Sequence, residues 1–111
     1  MNWNYKQKIA ILKSLWYIVG ADQKLHTNEI KVLSGFCNRY GLNPDIAMKD
    51  QATMTQSEMS DIISDLSFSD KKMVRSFWKE AMTCDGNVDP REAETFAMMS
   101  LACDMPFDNE I

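Results

Sequence analysis

"CDGNVDPREAETF" at residues 84–96 and "ADQKLHTNEIKVL" at residues 21–33 align without a gap. Asp22 matches Asp85, Leu25 matches Val88, Glu29 matches Glu92 and Leu33 matches Phe96. The shared pattern is Asp, two residues, an aliphatic, three residues, Glu. An apolar segment precedes each copy and an amphipathic one follows it. A turn between helices that recurs in this way describes a duplicated helix–turn–helix unit, and internal repetition speaks for architecture before it speaks for function. The expectation is an all-α fold. It would be a compact bundle of about six helices with an internal pseudo-two-fold repeat, in one domain over residues 1–111.

Working outward, helical periodicity continues on both sides of each copy. Tyr5, Ile9, Leu12, Trp16 and Val19 fall at three- and four-residue steps, and Ile11, Leu15 and Ile18 add a second stripe. A helix apolar on most of its surface belongs at the centre of a bundle. A second helix is predicted from about Thr27 to Tyr40, with Ile30, Leu33, Phe36, Cys37 and Tyr40 inward and Gly41 as its left-handed closing residue. Asn43-Pro44 caps and starts a third. "TQSE" at residues 55–58 is a capping box opening a fourth, with Met59, Ile62, Ile63 and Leu66 inward. Ser69 is expected to cap a fifth helix with Met73, Val74, Phe77, Ala81 and Met82 as its core stripe. Asp89 and Pro90 open a sixth with Glu92 completing a capping box, Ala93, Phe96, Ala97, Ser100 and Leu101 inward, and Pro106 ending it.

Composition narrows the class. The 111 residues are 45% hydrophobic and 25% charged, which suits a globular domain with a real core. The net charge of −4 leaves no basic stripe to neutralise phosphates, so nucleic acid is a poor partner and a cation or a basic protein surface a better one. The start "MNWNYKQKIAILKSLWYIVGA" resembles a signal peptide, but Lys13 interrupts an apolar run already too short to span a membrane. Cys37, Cys84 and Cys103 match no zinc or redox spacing and read as reduced thiols filling the core of a cytoplasmic protein. The nine methionines cluster late and read as adaptable core filling, with a Met-rich groove for partner helices as the alternative.

The repeated acids have two readings. An EF-hand is excluded by register. With Glu92 as the twelfth loop position, Ala81 would be the first ligand; with Asp85 as the first, Pro90 replaces the obligatory glycine and Phe96 the closing glutamate. Capping accounts for Asp89 and Glu92, and Asp85-Gly86 is a common turn dipeptide. Capping does not account for the recurrence of both acids in the first copy. If the repeat brings Asp22, Glu29, Asp85, Asp89 and Glu92 to one face, carboxylates about 4 Å apart repel by roughly 1 kcal/mol in water and about 4 kcal/mol near a protein surface. Such a cluster takes up protons, borrows a cationic side chain or binds a cation, and oxygen ligands favour calcium or magnesium over zinc. Catalysis has little support. The only histidine, His26, lies on a turn, and no phosphate-binding glycine loop is present.

Two Asp-x-x-aliphatic-x-x-x-Glu turns between helices, in an acidic all-α chain of this length, resemble the TerB-like family. That family takes in bacterial tellurite-resistance proteins and the cytosolic domain of DnaJ-like membrane co-chaperones. The resemblance covers about residues 5–105. The second copy, with Asp85-Gly86 and Glu92, follows the family pattern; in the first, Gln23 stands where glycine is usual and His26 where Ser, Thr or Asp is usual. The resemblance implies a metal link through the acidic residues. On that basis the expected function is a non-enzymatic protein-interaction module in a bacterial stress response, acting in the cytoplasm and reaching a membrane only through a partner, with a divalent cation at the two turns. The alternatives are a structural adaptor whose acids only cap helices, and a small carboxylate metal-dependent enzyme.

Overall fold

The computed structural model describes residues 3–20, 27–83 and 90–106, with backbone alone at 27–29. Among the described residues six α-helices follow one another: α1 Tyr5–Val19, α2 Thr27–Arg39, α3 Pro44–Thr53, α4 Gln56–Ser64, α5 Phe68–Thr83 and α6 Pro90–Ala102. No strand occurs among the described residues, so the fold is the all-α bundle that the periodicity predicts. Helix α1 lies at its centre and packs against each of the other five. The cause is in its sequence. Ile9, Ala10, Ile11, Leu12, Leu15, Ile18 and Val19 are all buried, and they occupy its whole circumference. Lys13 and Ser14 are buried with them.

The repeat is built into the backbone. Under the spacing that separates Asp22 from Asp85, α1 and α5 start at matching residues, and α2 and α6 both start and end at matching residues. The caps repeat as well. The Gln7 amide donates to the Asn4 side chain at 2.8 Å, and the Asp70 amide donates to Ser67 Oγ at 3.2 Å. At the far end, φ is 73° at Gly41 and 53° at Asp104. The following amides turn back, Leu42 to the Cys37 carbonyl at 2.7 Å and Met105 to the Ser100 carbonyl at 2.9 Å, which is the Schellman closure in both copies. Aspartate tolerates this left-handed conformation better than most side chains.

Lysines then clamp the helix ends. Lys8 Nζ donates to the Tyr40 carbonyl at 3.0 Å just past α2, and its counterpart Lys71 donates to the Asp104 carbonyl at 3.2 Å just past α6. Lys13 Nζ does the same for Gln51 in the last turn of α3, at 2.9 Å. Each ammonium satisfies an orphan carbonyl and faces the negative end of a helix.

Local signals and packing disagree in places. Ser67, not Ser69, caps α5. Trp78, absent from the predicted stripe, is fully buried at 0% exposure, while Met73 and Phe77 are only half-buried. Tyr5 and Ile30, expected inside, are exposed. The largest correction concerns α6. Its buried face carries Glu92 and Met99, with Phe96 and Ser100 half-buried, and continues to Cys103; Ala93, Ala97 and Leu101 point outward. Apolar residues lie all round α6, so periodicity alone cannot choose a face. The contacts of α6 with α1, α4 and α5 choose it. The methionines fill the core at Met54, Met59, Met82, Met99 and Met105.

Candidate functional site

Of the five acids singled out in the sequence, Glu92 has a described side chain. It sits in the first turn of α6 and is 4% exposed. A carboxylate there meets the positive end of the helix, in keeping with a capping role. Phe96 follows one turn later on the same face, and its ring carries the buried Arg75 guanidinium of α5 at 5.0 Å from the centroid. Asp22, Asp85, Asp89 and the Glu29 side chain lie outside the described residues, as do His26 and Cys84. Among the described residues no three His, Cys, Asp or Glu side chains come together as a metal-holding group. Glu92 by itself supplies at most two of the six to eight oxygens that calcium takes.

The described thiols are poor nucleophiles. Cys37 and Cys103 are unpaired in any disulfide and buried. Burial pushes the Cys37 thiol up. Burial also raises Cys103 to about 11, against smaller opposing pulls from a hydrogen bond with Ser60 and the charge of Lys71. Both stay protonated at neutral pH, and the thiolate is the reactive form. They act as the core filling that the sequence predicts. Cys37 also lines a small apolar pocket of about 160 Å³ with Ile30, Leu33, Ser34, Pro44 and Met48.

A larger surface groove, about 330 Å³, opens between α2 and α5. Leu15, Val32, Phe36, Tyr40 and Phe77 give it an apolar lining, and Lys31, Arg39 and Glu80 supply its charges. An aromatic cluster forms the base. Phe36 and Tyr40 lie 4.8 Å apart by ring centroid, Phe36 and Phe77 5.9 Å, and Trp3 packs on Tyr40 at 5.3 Å and edge-on to Phe77 at 6.3 Å. Such pairs fix ring positions and add to the burial of their area. The Arg39 guanidinium lies 5.6 Å from the Tyr40 centroid and 5.9 Å from that of Phe77, within cation–π range of both rings of the aromatic wall.

Gly35 completes the lining. It stands in the middle of α2, where glycine is less stable than alanine by roughly 0.5–1 kcal/mol. No internal contact demands it, because a Cβ at this position would meet nothing within 4 Å. Sequence reading missed the groove. Its signal was present as Lys31, Gly35 and Arg39 at successive four-residue steps on the outer side of a helix, a face that the inward apolar stripe does not include.

No known protein-family profile matches the chain, and no curated protein matches it. A solved structure does. The chain is similar to the crystal structure of the protein of unknown function PG1108 from Porphyromonas gingivalis W83, at 27% identity. The match covers 96% of this chain and 89% of that one, with a TM-score of 0.81. The whole bundle, and not only one helix pair, therefore recurs in an experimentally determined protein.

Proposed function

We propose that the chain is a non-enzymatic, TerB-like protein-interaction module, and that its docking surface is the groove between α2 and α5. The observation that carries this reading is the groove itself, with its aromatic base, its cationic groups Lys31 and Arg39, and a mid-helix glycine that the chain's own packing does not need. Apolar floors with a few placed charges are how helices and peptides are recognised. The cytoplasmic, bacterial stress-response setting follows from the TerB-like resemblance. A photo-crosslinker at Lys31 in cells tests the docking surface. The expected result is a protein adduct that Gly35→Leu removes and that a crosslinker at the exposed Asp61 does not give. An adduct that survives Gly35→Leu, or none at all, overturns it.

A cation at the two acidic turns is the second part of the proposal. Asp22, Glu29, Asp85, Asp89 and Glu92 would hold calcium or magnesium, and the recurrence of the Asp and Glu in both copies supports it. The cap-only adaptor reading is favoured by the burial of Glu92 in the first turn of α6. Titration with calcium, magnesium and zinc separates the two. Binding is expected to shift the amides of residues 22–29 and 85–92 together, and Asp85→Asn is expected to weaken the response. If neither segment moves, the acids only cap helices. Turnover by a small carboxylate metal-dependent enzyme would require the same cation, so that alternative falls with it.

A further inference from the structure

The outer faces of the two repeats are chemical complements. Helix α2 turns Lys31, Gly35, Asn38 and Arg39 outward; at the matching positions α6 turns out Glu94, Met98, Leu101 and Ala102. The fold requires neither set, since one backbone arrangement carries both. Met98 is 64% exposed and Leu101 82% exposed, large apolar side chains that nothing in this chain covers among the described residues. Glu94, Met98 and Leu101 stand at i, i+4 and i+7, the anchor spacing with which an amphipathic helix enters a groove. The α2–α5 groove offers an apolar floor with two cations, Lys31 and Arg39, against one acid, Glu80, so its net charge is opposite to that of Glu94. Phe36 and Phe77 line it, Gly35 leaves open the place a side chain would fill, and Lys31 and Arg39 face an incoming carboxylate.

The geometry points to head-to-tail self-association, in which α6 of one copy seats Met98 and Leu101 in the α2–α5 groove of the next and sets Glu94 beside Lys31 and Arg39. This rests on reading the groove as a protein-docking surface. The contact is heterologous: every copy keeps one unused groove and one unused α6 face, so assembly grows with concentration unless it closes into a ring. The net charge of −4 opposes it at low ionic strength, and added salt screens that long-range repulsion.

Sedimentation velocity and light scattering from micromolar to millimolar protein test the inference, with Gly35→Leu blocking the groove and Met98→Lys blocking the α6 face. Both positions are exposed, and circular dichroism checks that each variant keeps the fold. The wild type is expected to show concentration-dependent growth in mass. Each variant alone is expected to associate at least about tenfold more weakly, the effect of losing one anchor contact. An equimolar mixture of the two is expected to form a complex that stops at two copies, because each variant retains one intact surface. A wild type that stays monomeric overturns the inference. So does a Gly35→Leu variant that associates normally, which would mean α6 packing on α6, and so does a mixture that stays monomeric. The crosslink at Lys31 to a different protein would still stand in each of these cases, so the docking-surface reading fails or survives separately.

Discussion

Trp78 is the largest side chain fully removed from water, and its indole nitrogen needs a partner. It donates to Ser14 Oγ at 2.8 Å, and that hydroxyl donates onward to the Ile11 carbonyl at 2.6 Å. A polar relay thus crosses the α1–α5 contact inside the core. Ser14→Ala would strand the indole N–H without water, at a cost of about 1–3 kcal/mol. Urea denaturation should show that loss, and in a Trp78→Phe background Ser14→Ala should cost clearly less; equal losses in both backgrounds would mean that the hydrogen bond contributes nothing. This pairing was invisible in the sequence, because Ser14 and Trp78 lie on different helices; Trp78 falls in step with Val74 and Ala81, but periodicity does not say which polar atom its indole meets. Gly41 was legible for the opposite reason. A glycine just after an amphipathic run closes a helix through its own backbone freedom, which needs no distant partner.

At the scale of elements, the helices are tied by their ends as much as by their faces. Lys8 and Lys71 occupy equivalent positions in α1 and α5, and each reaches the carbonyls that close the second helix of its repeat. Lys8→Met keeps most of the apolar stem and removes the ammonium. It should destabilise the protein by about 1 kcal/mol, the scale of a charge-assisted contact at a helix C-terminus. Amide exchange should then quicken first in the last turn of α2, and uniform quickening along the chain would contradict the local clamp. Capping at Asn43 and Thr55 was readable because its hydrogen bonds run between residues three apart. The choice of Ser67 over Ser69 was not, since both serines precede a plausible first turn. The buried face of α6 also escaped, because Ala93, Ala97, Met98 and Leu101 make its outer side as apolar as its inner one.

For the whole molecule, the position of α1 has a mechanical consequence. A helix that touches every other helix leaves no part of the bundle that can keep its core while another part loses its own. Unfolding should therefore be a single transition, with tryptophan emission and helical circular dichroism tracing the same urea curve. A displaced pair of curves would show that one repeat melts before the other. The sequence by itself determined the helical class, the duplicated unit, most helix starts and the central place of α1. Those features follow from side-chain periodicity, capping and internal repetition, all of which act within a few residues or compare one segment with another. Only the tertiary structure decided which side of α6 is buried, which polar atoms meet across helices, and that α2 and α5 leave an aromatic groove beside Gly35. Each of these depends on which surfaces the other helices leave uncovered, and a single helix does not carry that information.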